Sequence, residues 1–423
     1  MAVTLLQKTG ATLREYVQRL RMFRPNARLY LLSVVMTGAA IGIYRLLFNF
    51  FVLSLGYDEA LVGKLLTTSQ ATALVIALPM GYLIDIIGRR RALAARSLLL
   101  GSAVAAMALW PSKAIFYLMN VGFGITRCIS AVAQAPFLMN NSGEEERTYL
   151  FSFSSGLRMG SMFVGSWLGG YLPTWAAQIR GSEPTASEAY ALALLTVSAA
   201  AAIGFIPLIF LKPAKGTSVE QTAKFSPFTF MRKEPKLMVK LLGPMLLISV
   251  GAGFFMPFMN VFFRQVHGQP DPVIGTLFAW GSLAMGIGLM IAPPIADRLG
   301  KIRLVVLTQG LSIPFMIMLG FAPIFLFSAA GYYARLTLMN MSNPIYQTFV
   351  MEQVEASARS TVASLVSLVM SFGRAFSPTV SGYLQVAYGF GPPFAIAISL
   401  YALAVIFYWL FFIHQRDSRQ VIA

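Results

Sequence analysis

The stretch that decides the fold is GYLIDIIGRRR, Gly81 to Arg91, which closes a long run of apolar residues. An aspartate, a glycine and three consecutive arginines follow one another at the place where that run ends. About half a chain later PIADRLGKIR, Pro294 to Arg303, repeats the aspartate, the glycine and the basic residues. A polar end alone would mark only where a helix leaves a membrane, whereas its repetition indicates two related halves.

The composition is that of a membrane protein. Of the 423 residues, 57% are hydrophobic and 12% are charged, whereas soluble domains carry about 25% charged residues. A bilayer core about 30 Å thick requires roughly 20 apolar residues for each helical span. We predict twelve such runs, numbered spans 1 to 12, at residues 29–53, 60–86, 92–110, 114–139, 148–174, 189–211, 240–263, 273–296, 303–322, 325–348, 360–384 and 391–413. The predicted fold class is therefore an all-α membrane protein with twelve transmembrane helices.

The positive charge follows the predicted topology. The formal net charge is +17, which on a soluble chain would point to nucleic acid. With the N-terminus inside, most lysines and arginines fall in cytoplasmic segments, and the predicted external side carries only Lys64, Lys113, Arg180 and Arg264. This is the positive-inside bias. We predict a multi-pass protein of the bacterial cytoplasmic (inner) membrane with both termini cytoplasmic, in contact with membrane lipid and not with nucleic acid.

Cysteine and histidine usage gives no sign of a metal site. Cys128 is the single cysteine, and the two histidines lie outside the predicted spans. Since no paired spacing typical of metal ligands occurs, we expect no metal and no cofactor. The N-terminal segment 1–28 has no apolar signal core, and its apolar residues at helical spacing among basic ones predict an interfacial amphipathic helix.

The repeat extends beyond the two quoted stretches. Residues that recur 212 positions later are Phe50 as Phe262, Gly56 as Gly268, Gly63 as Gly275, Asp85 as Asp297, Gly88 as Gly300 and Arg147 as Arg359. Arg127 and Pro136 recur at a shift of 208 as Arg335 and Pro344. We predict two six-helix bundles in parallel repeat, at 29–211 and 240–413, with a cytoplasmic linker at 212–239 and a cytoplasmic tail at 414–423.

A six-plus-six parallel repeat with G-x3-D-x2-G-R-R-R between spans 2 and 3 resembles the major facilitator superfamily of secondary transporters. The resemblance covers nearly the whole chain. Ile86 stands where that signature has a basic residue, and Pro293 stands where the second copy would have its first glycine. The motifs are specific for the superfamily and say almost nothing about the substrate.

The resemblance implies a gate at the quoted stretches. It places Asp85 at the cytoplasmic end of span 2, facing the N-terminus of span 11 near Ser360 and Thr361. A carboxylate at a helix N-terminus is stabilised by about 0.3–1 kcal/mol, so the pair would form a latch. The predicted gating residues are Gly81, Asp85, Gly88, Arg89, Arg90, Arg91, Asp297, Arg298 and Gly300. The alternative is a helix end with charges that only set topology.

The arginines that fall well inside the predicted spans are the candidate binding residues. They are Arg45, Arg127, Arg158, Arg335 and Arg374. Each costs about 2.5–3.5 kcal/mol at a helix centre, so each must face protein or a water-filled cavity. The resemblance implies that spans 1, 4, 7 and 10 line the cavity, with 2, 5, 8 and 11 beside them and 3, 6, 9 and 12 outside. None of these arginines is in an outer span.

The arginines have no acidic partner at their depth, because all sixteen acidic residues lie in loops, tails or near span ends. Arg45, Arg158 and Arg374 break the repeat and are predicted to bind substrate, with Tyr44 as a neutral hydrogen-bonding residue. For Arg127 and Arg335, substrate binding and a structural role, bracing loops through nearby glutamates, both stay open.

An arginine-rich cavity without acids favours an anionic or zwitterionic substrate, since the planar guanidinium matches phosphate and carboxylate. We therefore predict a secondary active or facilitative transporter of a small solute, working by alternating access as a monomer, with the involvement of a coupling ion left open. No nucleophile–base pair or phosphate-binding glycine loop indicates an enzyme. The alternative is an exporter of amphipathic drug-like compounds with structural arginines and a Met-rich, loosely binding interior.

Overall fold

The computed structural model describes residues 23–212, 234–355 and 359–414. Most of the predicted interfacial helix (1–22), most of the linker (213–233) and most of the tail (415–423) lie outside the described residues. The described part is helical and contains no strand.

The helices give twelve spans in chain order. Span 2 is made of two helices, and span 7 of two helices joined by a short 3-10 turn. The bounds are Pro25–Ser54 for span 1, Glu59–Val75 and Ala77–Ile87 for span 2, Arg89–Leu109 for span 3, Lys113–Asn140 for span 4, Glu144–Arg180 for span 5, Ser187–Ile209 for span 6, Pro235–Phe255 and Met259–Gln265 for span 7, Asp271–Leu299 for span 8, Lys301–Phe321 for span 9, Phe325–Glu352 for span 10, Arg359–Tyr388 for span 11 and Gly391–Tyr408 for span 12.

The prediction of twelve spans is confirmed, and the main differences are at helix ends. Span 5 continues to Arg180, past its predicted end at 174, because it leaves the apolar layer before it ends at Gly181 in a left-handed conformation. Span 7 begins at Pro235, inside the predicted linker. Proline is favoured in the first helical turn, where its missing N–H costs no hydrogen bond.

Apolar length alone would not have found every span. Eight of the described helices are long and apolar enough to cross a membrane, and the two segments of span 2, bent by 69°, make a ninth. Spans 5, 10 and 11 are long enough but are diluted by serine, glycine and other polar residues. These are also the spans that carry Arg158, Arg335 and Arg374. Helices that line a polar cavity are less apolar than helices that face lipid on all sides.

The backbone repeats where the sequence does. Positive φ angles in the described part of the chain occur only at glycines. They form three repeat-related pairs, namely Gly56 with Gly268, Gly88 with Gly300 and Gly181 with Gly389. Gly88 and Gly300 have nearly the same conformation, φ 89° and 85°, which a residue with a Cβ rarely adopts. The two signature stretches therefore end in the same turn.

The two bundles touch at one end of the molecule, here called the closed end. Two amides join them there in a reciprocal arrangement. Asn49 donates to the Asn260 side chain (2.8 Å) and to the Pro257 carbonyl (2.7 Å), while Asn260 donates to the Leu46 carbonyl (2.7 Å). Each bundle thus donates a hydrogen bond from an asparagine side chain to a backbone carbonyl of the other bundle.

Glycines bring helices of the two bundles into backbone contact at the closed end. A methyl group on Gly63 in span 2 would overlap the Pro378 carbonyl oxygen in span 11. Its repeat partner Gly275 in span 8 packs in the same way against Gly170 in span 5. Contacts through small residues allow this close approach in membranes.

The opposite end, here called the open end, carries the two signature stretches. None of the cross-bundle hydrogen bonds between described residues lies there. Tyr82 in span 2 and Met290 in span 8 are 74% and 81% exposed. The cross-bundle hydrogen bonds of the described residues therefore hold the bundles together at the closed end and not at this end.

Candidate functional site

A cavity lies between the bundles and has two connected parts. The larger, here called the N lobe, has a volume of about 600 Å³ and is lined mostly by spans 1 to 5. The smaller, here called the C lobe, has a volume of about 270 Å³ and is lined mostly by spans 7, 8, 10 and 11. Residues that line both lobes are Arg45, Gln70, Met256, Pro257, Phe278 and Arg374.

The N lobe collects arginines. Those that line it are Arg45, Arg96, Arg127, Arg158 and Arg374. No aspartate or glutamate lines either lobe within the described ranges. Four of the five side chains are exposed to the cavity, and Arg96 is half-buried. The structure thus brings together four of the five arginines that the sequence singled out.

The charges of these arginines repel one another. Arg127 is close enough to Arg374 and Arg45 for their positive charges to act on it. Arg96 and Arg158 interact in the same unfavourable way. Arg374 donates from Nε to the Met370 carbonyl (3.0 Å) one turn earlier, which satisfies one of its donors. The lobe therefore holds concentrated positive charge with unused donors.

Arg335 does not share this environment, although it is the repeat partner of Arg127. Its side chain is 3% exposed and donates to the Tyr401 hydroxyl (2.7 Å) and the Met256 sulfur (3.0 Å). The guanidinium also lies over the Phe255 ring, 4.4 Å from its centroid. Two of its nitrogens are held by neighbouring side chains and its Nε is buried without a hydrogen-bond partner among the described residues, so this placement favours a structural role for Arg335 over substrate binding, and both roles stay predictions. The suggested bracing through nearby glutamates does not describe this placement.

Tyr44 lines the N lobe with its ring and not with its hydroxyl. The ring stacks on Phe48 and Phe123, at 4.9 Å and 4.4 Å between centroids. The hydroxyl is buried and has no hydrogen-bond partner among the described residues. A ligand would have to displace one of these rings to reach it.

Sequence reasoning missed residues that come from the spans expected to lie outside. Neither Arg96 of span 3 nor Tyr401 of span 12 is among the candidate binding residues predicted above. Arg96 lies seven residues after the start of its helix at Arg89, which places it roughly 10 Å inside at 1.5 Å per residue. That depth was a usable signal. No sequence signal connected Tyr401 to Arg335.

The C lobe has a different surface. Its apolar lining consists mainly of methionines and large side chains, namely Met162, Met256, Met285, Met339, Met370, Phe278, Tyr332 and Leu336. Tyr332 stacks on Phe278, with 5.8 Å between ring centroids. Methionine is flexible and polarisable and adapts to ligands of different shape.

A charged cluster seals the closed end beside the amide pair. Arg264 forms a salt bridge with Asp271, and both contact Tyr190 of the other bundle. The Tyr190 hydroxyl accepts from Arg264 (2.6 Å) and donates to Asp271 (2.7 Å). The Arg264 guanidinium also stacks on Phe50, 3.3 Å from the ring centroid. From the sequence, Arg264 was predicted only to lie on the external side of the membrane. Its contacts could not be predicted, because its partners Tyr190 and Phe50 come from distant parts of the chain.

At the open end, the predicted gating residues lie apart from the other bundle. Asp85 and Asp297 are exposed, and a methyl group on Gly81 would meet nothing within 4 Å. Gly81 therefore makes no close helix contact in this conformation. The side chains of Ser360 and Thr361, the expected partners of Asp85, lie outside the described residues.

Within each bundle the signature loops are held by their basic residues. Arg90 donates to the Ile209 carbonyl (2.5 Å) at the end of span 6. Lys301 forms a salt bridge with Glu352 at the end of span 10. Each loop is thus fixed to its own bundle.

Comparison with known proteins gives matches over nearly the whole chain. The model of the Major Facilitator Superfamily matches residues 30–334 and 245–423. The multidrug resistance protein MdtG of Dickeya zeae (strain Ech586) is 21% identical over 422 residues, 95% of this chain and 97% of that protein. An inward-facing, unoccupied bacterial homologue of the human lysosomal transporter Spinster has a TM-score of 0.74 at 14% identity, covering 93% of this chain and 96% of that one. The nucleoside transporter NupG has a TM-score of 0.73 at 13% identity, covering 92% and 98%.

Proposed function

This chain belongs to the Major Facilitator Superfamily, and we propose that it carries a small anionic or zwitterionic solute across the membrane by alternating access. Membership makes it a multi-pass membrane transporter and not an enzyme. The observation that carries the proposed substrate charge is the N lobe, where five arginines and no carboxylate line the cavity in the described part of the chain.

The argument is one of charge balance. An unpaired arginine at membrane depth costs about 2.5–3.5 kcal/mol, and repulsion among Arg45, Arg127 and Arg374 adds to that cost. A bound phosphate or carboxylate would supply the missing negative charge and accept several hydrogen bonds at once. A cation would meet only repulsion there. The arginine-lined cavity therefore favours an anion over a cation of the same size.

Alternating access is supported by the difference between the two ends. The closed end is held by glycine contacts and a small number of hydrogen bonds across the bundles. The open end carries the carboxylates and basic loops that the superfamily signature supplies. We propose that the open end faces the cytoplasm, because Arg89, Arg90 and Arg91 lie there and basic loops stay inside.

A second candidate is the export of amphipathic drug-like compounds. It is favoured by the methionine-lined C lobe and by a relative that is named a multidrug resistance protein. In that case the arginines would serve structure, the role that the placement of Arg335 favours.

Thermal unfolding of the purified protein with a panel of ligands separates the two candidates. Phosphate- and carboxylate-bearing metabolites should raise the melting temperature, and cations of matched size should not. Arg45→Gln, Arg158→Gln and Arg374→Gln should each reduce that shift and leave the unliganded protein folded. Arg180→Gln, at an exposed position outside both lobes, is the matched control and should behave as the wild type. Stabilisation by cationic or neutral amphiphiles alone, unchanged in the glutamine variants, would establish the exporter instead.

A further inference from the structure

The two lobes of the cavity present different chemistry to one ligand. The N lobe offers guanidinium groups, whereas the C lobe offers thioether and aromatic surface. Arg45 and Arg374 lie at the junction, since both line both lobes. A ligand bound to these two arginines is therefore in contact with the apolar wall as well.

Much of the polar lining of the C lobe is already engaged. Arg335 is bonded to Tyr401 and Met256. Ser249 donates to the Met370 carbonyl (2.5 Å), Ser282 to the Phe278 carbonyl (3.1 Å) and Asn340 to the Leu336 carbonyl (2.8 Å). The hydroxyl protons of Ser249 and Ser282 and one of the two Asn340 N–H groups are therefore already used. What the lobe presents is chiefly the surface of methionine, phenylalanine and leucine side chains.

A small inorganic anion would leave that surface in water. A ligand with an apolar portion would cover it, and each buried methylene would strengthen binding by up to about fourfold. Flexible methionines tolerate apolar groups of varied shape. The pairing of a charged lobe with an apolar one thus favours a ligand that has both parts.

We infer that the substrate is an amphipathic anion, with its charged group between Arg45 and Arg374 and its apolar portion in the C lobe. This inference rests on the proposed function, and it narrows the substrate class. It also differs from the exporter alternative, because it requires the negative charge as well as the apolar portion.

The test uses methyl, butyl, hexyl and octyl phosphate as probes, with the full chain in nanodiscs of a zwitterionic lipid. Empty nanodiscs measure how much of each probe partitions into lipid, and that amount is subtracted. We expect Kd to fall by two- to fourfold per methylene along the series. Octyl trimethylammonium, which has the same chain and the opposite charge, should bind at least tenfold more weakly than octyl phosphate.

Two variants assign the parts of the ligand to the lobes. Met285→Gln places a polar group in the C lobe and should weaken octyl phosphate at least threefold while methyl phosphate is unchanged. Met370→Gln serves the same purpose if the first variant does not fold. Met318→Gln, in span 9 and outside the cavity, is the matched control. Arg45→Gln should weaken every member of the series.

The possible failures are distinct. Equal affinity for methyl and octyl phosphate would overturn the amphipathic inference and leave the proposed function standing. A chain-length effect that persists in both C-lobe variants would also overturn it, because the apolar portion would then lie elsewhere. If neither these phosphates nor the alkyl carboxylates of the same chain lengths bound, the proposed function itself would fail.

Discussion

The two bundles are alike where they touch and different where they face the cavity. At the closed end Gly63 and Gly275 make equivalent helix contacts, and Asn49 and Asn260 exchange equivalent hydrogen bonds. In the cavity Arg127 is exposed, whereas its repeat partner Arg335 is 3% exposed. The symmetric part forms the contact between the bundles, and the asymmetric part forms the two lobes. In the proposed alternating-access cycle, a symmetric contact suits the interface that opens and closes, and an asymmetric cavity suits recognition of an asymmetric solute.

The arginine pair shows how one residue type serves two purposes. Arg335 is enclosed by Tyr401 and Phe255, so its charge is stabilised by a hydrogen bond and by a ring face. Arg127 has two other arginines nearby and is left with repulsion. Removing each should therefore have opposite consequences for stability.

The largest expected effect is the difference in stability between the Arg335→Gln and Arg127→Gln variants. The first change removes a charged hydrogen bond and a cation–π contact, together worth roughly 2–4 kcal/mol, and leaves the Tyr401 hydroxyl unpaired. The second removes repulsion and should leave stability equal or slightly higher. Thermal unfolding of both variants without ligand measures this. A stable Arg335→Gln protein that no longer binds anions would place Arg335 among the ligand-binding residues and break the comparison.

The glycine contacts give the next largest effect. Gly63→Ala puts a methyl group against the Pro378 carbonyl, and Gly275→Ala puts one against Ser166 and Gly170. Overpacking of this kind costs about 1–3 kcal/mol, and only the conformation with the closed end sealed bears that cost. Both variants should shift the population toward opening of this end.

Cysteine cross-linking across the closed end measures the shift. Thr67 and Thr379 are joined by a 2.7 Å hydrogen bond between the bundles, so Thr67→Cys with Thr379→Cys, in a Cys128→Ser background, reports the sealed state. Cross-linking should fall in Gly63→Ala and Gly275→Ala. Gly156→Ala is the matched control, because a methyl group there meets nothing within 4 Å. Unchanged yields in both glycine variants would mean that these contacts do not hold the end closed.

The closed end is not perfectly symmetric, and Tyr190 marks the difference. In the N-terminal bundle Tyr190 packs on Phe50. In the C-terminal bundle Phe394 packs in the same way on Phe262, the repeat partner of Phe50. Only the tyrosine carries a hydroxyl to join Arg264 and Asp271. Tyr190→Phe makes the two bundles alike at this position. It should lower the free energy of unfolding by about 0.5–1.5 kcal/mol, because the hydrogen bonds of the hydroxyl are lost. In Tyr190→Phe, the yield of the cross-link between Thr67→Cys and Thr379→Cys should also fall modestly. Adding Phe394→Tyr to this variant should not restore the yield.

The fold was predictable because its signals are local and repeated. Apolar runs, three of them diluted by polar residues, together with residues that recur at a nearly fixed shift, indicate twelve spans without knowledge of any contact. The general placement of Arg45, Arg127, Arg158 and Arg374 in the cavity followed from their cost in lipid and the lack of acids at their depth.

The rest depended on contacts between distant residues. Arg335 looks like Arg127 in the sequence, and only the approach of Tyr401, 66 residues later, separates them. Arg96 follows the three loop arginines closely in the sequence, although it lies about two turns inside span 3. The seal at Arg264 involves Tyr190, 74 residues earlier. No periodic sequence pattern predicts such side-chain contacts, since each contact depends on how whole helices pack against one another.

The smallest effect concerns the two copies of the signature at the open end. By the repeat, Asp85 should meet the N-terminus of span 11 when this end closes, and Asp297 should meet the N-terminus of span 5. Span 11 begins with Arg359 and has no acidic residue in its first turn. Span 5 begins with Glu144, Glu145 and Glu146. The interaction of Asp85 with the N-terminus of span 11 should therefore be attractive. For Asp297 and span 5, the negative charges of the glutamates offset the positive end of the helix dipole.

Asp85→Asn should therefore shift the population toward the conformation described, and Asp297→Asn should have little effect. The attraction of a carboxylate to a helix N-terminus is worth about 0.3–1 kcal/mol. Because Asp85 is exposed in the present conformation, its replacement weakens only the state in which this end is shut. Cross-linking through Thr67→Cys and Thr379→Cys should rise in Asp85→Asn and stay level in Asp297→Asn. A rise of equal size in both variants would mean that the glutamates of span 5 do not offset the dipole, and no rise in either would leave the first signature without a latch.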